Sequence, residues 1–291
     1  MESKKILVTG SRGFIGQNFC RKNSDVIEYD IALNRNMSIL NIQQLEQVFV
    51  SQEPKIVLHL AANANPKKSV EDPLFDCQLN IEGTINLLQT AVKYKIEHLI
   101  LASTAYVYGP PQYYPIDEKH PLGANTPYGI SKKTAESYCL HYFKKYGLNI
   151  TILRFFTIYG LNQLQGYVIP DLINKISQAN DKIELLGTKN DSRDFLWMGD
   201  LIDAIKQTIK VQPSGEILNI GGGDEIKIYD IALKISKLLK KKIEYSYANV
   251  DTFKPSRLIV DIRKTKDILG WTPKTSIDEG LKNLIEDFQK R

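Results

Sequence analysis

Lys5-Ile6-Leu7-Val8-Thr9-Gly10-Ser11-Arg12-Gly13-Phe14-Ile15-Gly16 is the stretch that decides the fold. Ile6, Leu7 and Val8 form a short apolar run bounded by glycine, the pattern of a strand buried on both faces of a parallel sheet. Gly10, Gly13 and Gly16 then follow at spacings of three. Glycines so placed allow a tight turn, let backbone amides approach a pyrophosphate, and let the next helix pack on the strand. The start of the next helix presents free amides to the phosphates, and Phe14 and Ile15 of the turn are expected cofactor contacts. A second apolar run, Val26-Ile27-Glu28-Tyr29, ends at Asp30, twenty residues past Gly10. An acidic side chain there accepts hydrogen bonds from the adenosine ribose and favours NAD over NADP. Little room is left between Gly16 and Asp30, so the first helix is predicted to have only two turns over Gln17–Lys22, with Asn23-Ser24-Asp25 turning back.

Outward from this stretch the chain alternates. Strands are predicted at 5–9, 26–30, 56–60, 97–103 and 149–154, separated by helical stretches with apolar residues three and four apart, such as Ile85, Leu88 and Val92. The fold class is therefore α/β: a Rossmann-type doubly wound parallel sheet with helices on both faces. Beyond residue 155 the pattern becomes irregular, with helices near 168–179, 199–210, 227–241 and 277–289 and strands near 183–186, 216–220 and 243–247. This predicts an NAD-binding domain over 1–165, to which 188–220 returns, and a smaller C-terminal α/β substrate-binding lobe mainly over 166–291.

Thr126-Pro127-Tyr128-Gly129-Ile130-Ser131-Lys132 carries the chemistry. Residues four apart on a helix share a face, so the Tyr128 phenol and the Lys132 ammonium stack a turn apart. A fixed ammonium favours phenolate and lowers the tyrosine from about 10 toward neutrality. A tyrosine so tuned takes a proton from a sugar or alcohol hydroxyl.

Together these features resemble the extended short-chain dehydrogenase/reductase family, in particular its nucleotide-sugar epimerases and dehydratases. The resemblance runs along nearly the whole chain. It rests also on Leu58-His59-Leu60-Ala61-Ala62, Asn80-Ile81-Glu82-Gly83-Thr84, Ala102-Ser103-Thr104-Ala105-Tyr106-Val107-Tyr108-Gly109 and Leu153-Arg154-Phe155-Phe156-Thr157-Ile158-Tyr159-Gly160. Ser192-Arg193-Asp194-Phe195, Leu218-Asn219-Ile220-Gly221 and Leu269-Gly270-Trp271-Thr272-Pro273 complete the set.

The resemblance implies NAD as cofactor and a nucleotide-diphosphate sugar as substrate. Leu60, Ala61, Ala62, Asn80, Ala102 and Phe155 are implied cofactor contacts, as are Asn41 and Ile42, which stand where the family often has an aspartate beside the adenine. Tyr128 is implied as the base, Lys132 as its partner and the holder of the nicotinamide ribose, and Thr104 as the residue that orients the reacting oxygen. Arg193 matches an arginine that grips the substrate pyrophosphate, where a planar donor fork suits phosphate oxygens. The second phosphate arginine departs from the family pattern: Lys254-Pro255-Ser256-Arg257 makes Arg257 the first candidate and Lys254 the second. Tyr106, Thr157 and Leu258 are expected around the sugar, and Val168 beside the nucleotide base. Thr157 replaces an asparagine common in epimerases.

The 4,6-dehydratases of the family carry Asp-Glu directly after the catalytic threonine, whereas this chain has Ala105 and Tyr106. Alanine can neither protonate a leaving hydroxyl nor take a proton. The reading is therefore a 4-epimerase on a UDP-hexose or UDP-N-acetylhexosamine, with an NAD(P)H-dependent 4-keto-sugar reductase as the alternative. Arg12 and Arg35 are the residues that would pair with the 2′-phosphate of NADP. A silent NAD-sensing protein on the same fold is the third reading, since fold alone does not fix function.

Composition bounds the partners. With 43% hydrophobic and 24% charged residues, the 291-residue chain has the composition of a globular protein able to bury a substantial core. A net charge of +5 is small for this length, and Lys240-Lys241-Lys242 reads as a solvated helix end. No nucleic-acid partner is expected. Cys20, Cys77 and Cys139 lie far apart without metal-binding spacing, as reduced thiols of a cytoplasmic protein, and no metal is expected. No signal peptide or membrane span is read. The family commonly dimerises through helices matching 80–95 and 130–146, so a homodimer is expected, with Leu87, Ala91 and Tyr138 as candidate contacts.

Overall fold

The computed structural model describes residues 4–248 and 256–290. The predicted sheet strands form at Ile6–Thr9, Val26–Tyr29, Ile56–His59, His98–Thr104 and Ile150–Phe155. A sixth, Glu216–Ile220, adds beside Ile150–Phe155. All neighbours run parallel. Val26–Tyr29 lies at one edge with Ile6–Thr9 next to it, and Ile56–His59 returns to the other side of Ile6–Thr9. At that reversal the crossovers leave in opposite directions and open a crevice at the carboxyl ends of the strands, where a ligand can enter. Gly10 and Leu60 stand at its edge, tied by the Leu60 N–H to Thr9 carbonyl bond of 3.1 Å.

Alternation along each strand builds two cores. Leu7, Val57, Leu99 and Leu101 pack on one face under helices Ile42–Gln52, Gly83–Lys93 and Pro127–Tyr146. Val8, Leu58, Ile100 and Leu153 pack on the other, under Phe14–Cys20, Met198–Val211 and Arg263–Leu269. With both faces covered, the strands are largely apolar, and buried polar exceptions such as His59 and Arg154 are hydrogen-bonded. The first helix, Phe14–Cys20, has seven residues. It is as short as predicted but starts three residues earlier.

A third core gathers Ile169, Leu172, Ile176, Ile231, Ile235 and Leu281. Helices Val168–Gln178, Ile228–Leu238 and Ile277–Lys290 surround it, beside the parallel pair Lys182–Leu186 and Glu244–Ala248. Two of the candidate dimer contacts, which could equally have faced their own core, do so. Leu87 and Ala91 are fully buried in their own core, because they lie on the sheet-facing stripe of Gly83–Lys93. Tyr138 and Ile130 do face outward from Pro127–Tyr146.

One buried ion pair ties the sheet to the helix that carries Tyr128. Arg154 Nε and Nη2 reach Glu136 at 3.0 and 2.7 Å, and Arg154 Nη1 reaches the Tyr108 hydroxyl at 2.9 Å. Ser103 donates to the same Glu136 carboxylate. Tyr108 passes the chain on to Asn219 Oδ1 at 2.6 Å. Strands His98–Thr104, Ile150–Phe155 and Glu216–Ile220 are thereby held to one helix face.

Candidate active site

The crevice continues into a cavity of about 700 Å³ between the sheet edge and the third core. Its floor at one end is the glycine turn, closed by the Gly13 N–H to Gly10 carbonyl bond of 3.0 Å. Gly10 has φ +70°, and a Cβ there would lie 2.7 Å from the Ala61 nitrogen. A Cβ on Gly16 would lie 2.2 Å from the Gly10 carbonyl oxygen. Any side chain at either position would push the turn off the strand and fill the cradle. Asp30 lines the same end, its carboxylate fixed by the Arg12 and Ala32 N–H groups, each at 2.8 Å. The glycine cradle with an acid at the ribose position fits a dinucleotide.

Most of the expected cofactor residues meet here. Gly10, Gly13, Phe14, Ile15, Gly16 and Asp30 line one end, while Leu60, Ala61, Ala62, Ala102 and Phe155 line the middle. Four do not. The Arg12 side chain turns away to Glu28, with Nε 3.1 Å from Oε2. Asn41 is the N-cap of Ile42–Gln52, accepting the Gln44 N–H at 3.1 Å, so neither it nor Ile42 reaches the cavity. Met37, Ser38 and Ile39, just before that cap, line it instead. Asn80 is 1% exposed and spends its amide on Asp76, Ser131 and the Asn63 carbonyl.

The other end of the cavity gathers Tyr128, Lys132 and Thr104, together with Tyr106, Thr157, Val168 and Arg193. Thr126 caps the helix by accepting the Gly129 N–H at 3.1 Å, and Pro127 at its first position lacks the N–H that would go unused. That start sets Tyr128 and Lys132 on the cavity-facing stripe. Tyr106 packs edge-on against Tyr128, with ring centroids 5.7 Å apart.

The electrostatics differ from expectation at Tyr128. Burial pushes its phenol up, and the hydrogen bond from Thr104 only partly opposes this. Burial also brings the Lys132 ammonium down to about 8. Spacing alone predicted a depressed tyrosine, but desolvation of the buried phenol is the largest influence on it. Among the described residues no carboxylate makes an ion pair with Lys132. His59, behind the cavity, is held neutral by burial between Thr9 at 2.7 Å and Thr84 at 3.1 Å.

Arg193 Nη1 is braced by the carbonyls of Ser192 at 2.7 Å and Ser256 at 3.0 Å, leaving the rest of its fork beside the cavity. Arg257 is not there. It makes a two-pronged pair with Glu225, both contacts 2.8 Å, and stacks on Tyr114. Side chains alternate along extended chain, so Leu258 points inward and Arg257 outward. Lys254 lies outside the described residues. Tyr167, Asn125, Gln163 and Lys67 line the cavity without having been singled out in the sequence. Tyr167 stood one residue before Val168, and an aromatic beside a predicted base contact was the available signal.

Asp194, next to Arg193, is fully buried and accepts the N–H groups of Gly222 and Gly223. Burial raises its carboxyl from 3.8 to about 7 against those bonds. The folded state therefore binds a proton that the unfolded chain releases, so stability falls as pH rises from about 4 to about 7 and then levels off. The loss is expected to be on the order of a few kcal/mol. Asp194→Asn should flatten this part of the profile in urea melts at successive pH values. An unchanged slope would mean that another group carries it.

A family model described as the NAD dependent epimerase/dehydratase family matches residues 6–221. The chain belongs to that family. A UDP-glucuronate 4-epimerase of Thermodesulfobacterium geofontis is 32% identical, over 96% of this chain and 94% of that one. A dTDP-D-glucose 4,6-dehydratase of Bos taurus is 30% identical, over 99% and 89%. The structure of a UDP-glucose 4-epimerase of Thermotoga maritima with UDP-glucose superposes with a TM-score of 0.91 at 30% identity, covering 98% of this chain and 99% of that one. This member of the epimerase/dehydratase family is thus an NAD-dependent enzyme of α/β Rossmann-type fold. No helix among the described residues is long and apolar enough to cross a membrane.

Proposed function

We propose that this chain is a nucleotide-sugar 4-epimerase acting on a UDP-hexose or UDP-N-acetylhexosamine. One observation carries the reading. Among the described residues, Asp30 is the sole carboxylate that lines the cavity, and it sits at the ribose end. Thr104 is followed by buried Ala105, and Tyr106 packs on Tyr128. Elimination across carbons 5 and 6 needs a further acid and base beside the sugar, and this wall offers no carboxylate for either role. Tyr128, Thr104 and Lys132 suffice for oxidation at carbon 4 followed by return.

In this reading the positive charges of Lys132 and of oxidised NAD would together offset burial and free the Tyr128 phenolate, which takes the proton of the carbon-4 hydroxyl and gives it back after the 4-keto sugar has turned its other face. Thr104 holds the reacting oxygen throughout, and Lys132 supplies positive charge against the phenolate. Bound NAD supplies the hydride acceptor and donor and adds positive charge while oxidised. Arg193 anchors the substrate diphosphate, so the sugar can turn while its nucleotide stays fixed. Arg12 is engaged with Glu28, and Asp30 would repel a 2′-phosphate, which favours NAD and retention over an NADPH-dependent reductase. A homodimer in this account would use Ile130 and Tyr138 on the outward face of Pro127–Tyr146.

The test is incubation with UDP-glucose and UDP-N-acetylglucosamine without added cofactor, followed by proton NMR of the anomeric region. Galacto-configured signals growing toward equilibrium are expected. Unchanged spectra, with NAD supplied as well, would sink the reading.

A further inference from the structure

A carboxylate lies behind the Tyr128–Lys132 pair, outside the cavity and unused by the reading above. Asp76, on the short helix Pro73–Cys77, is 1% exposed. Its Oδ2 accepts the Ser131 hydroxyl at 2.6 Å, and its Oδ1 accepts the amides of Asn63 at 3.0 Å and Asn80 at 3.1 Å. Among the described residues it makes no contact ion pair. A buried charge left without a counter-ion in contact is costly, and such groups cluster at functional sites. Burial raises its carboxyl, while Ser131, Asn63 and the nearby Lys132 charge all pull it back toward the ionised form.

The other titratable groups beside Lys132 are already accounted for. On its own helix, the Cys139 thiol is pushed up to about 12 by burial and stays protonated. Glu136, a turn along the helix, is neutralised by Arg154 at 2.7 Å. His59, from strand Ile56–His59, is neutral and pushed down to about 3. The Tyr128 phenol is held protonated by burial. Asp76 is left as the uncompensated negative charge.

We propose that Asp76 is a positioning residue for the Tyr128–Lys132 pair: through Ser131 its carboxylate anchors the helix face that carries both, and its charge keeps the buried Lys132 ammonium protonated. The same charge disfavours the Tyr128 phenolate, so proton uptake by the tyrosine is tuned from behind as well as from the cavity. This rests on the roles given above to Tyr128 and Lys132.

The experiment is titration calorimetry of NAD binding from neutral to alkaline pH on the full chain freed of retained NAD, for wild type, Asp76→Asn and Asp76→Glu. Affinity should fall where Lys132 loses its proton. In Asp76→Asn that midpoint should move down by about one pH unit, the size of shift a single nearby charge produces. Asp76→Glu should restore it. An unchanged midpoint in folded Asp76→Asn would overturn the proposal. If the asparagine variant does not fold, NMR of wild type isotopically labelled at its aspartate carboxyls decides. Asp76 must be ionised at neutral pH, and a protonated Asp76 there would overturn the proposal too. Neither readout uses a sugar, so failure of the epimerase assay would leave this result standing on its own.

Discussion

Replacing Tyr128 with phenylalanine is expected to lower turnover by about three orders of magnitude, with NAD still bound. The phenol lines the cavity with its hydroxyl hydrogen-bonded to Thr104, and Lys132 lines the same end. Its ring is nearly buried and packs edge-on against Tyr106 at 5.7 Å, contacts that phenylalanine keeps. The loss should therefore appear in kcat and leave KM and the melting temperature nearly unchanged. Thermal melts and NAD titration of the variant check the second half. Turnover within tenfold of wild type would remove Tyr128 from the reaction.

Arg154→Leu is expected to cost about 3–5 kcal/mol of stability, because it strands Glu136 as a buried charge. Glu136 and Arg154 are each 2% exposed, so water cannot take over the lost bonds. Ser103 would remain as a donor to the carboxylate, and the Tyr108 hydroxyl would lose the guanidinium that now fixes it. Changing Glu136 to leucine in the same chain should recover part of the loss, since an apolar pair of similar volume can replace a buried ion pair. Urea unfolding of the single and double variants measures this directly. A single-variant loss under about 1 kcal/mol would mean that the pair is solvated or dispensable.

The sequence legibility of this protein divides along one physical line. Parallel strands buried on both faces need largely apolar runs, so the six strands of the sheet and the glycine turn could be found from local pattern. Tyr128, Lys132 and Thr104 were legible through spacing and resemblance. Properties set by distant partners were not legible. Arg257 looked like a phosphate ligand until Glu225, far away in sequence, claimed it. Asn41 occupied an adenine position by alignment, yet the helix start at Ile42 needed its side chain as a cap. Asn80 read as a cofactor contact, but folding places Asp76, Asn63 and Ser131 around its amide. The raised Tyr128 follows from tertiary burial, which residue spacing does not encode.

Hydride removal from carbon 4 and its return to the same carbon is the central claim. The direct measurement uses a UDP-hexose deuterated at carbon 4, incubated with the enzyme without added cofactor, and NMR of both sugars at equilibrium. The account predicts a 4-epimer that keeps its deuterium at carbon 4, with none lost to solvent. Washout of the label, or release of reduced cofactor in step with a keto product, would contradict it.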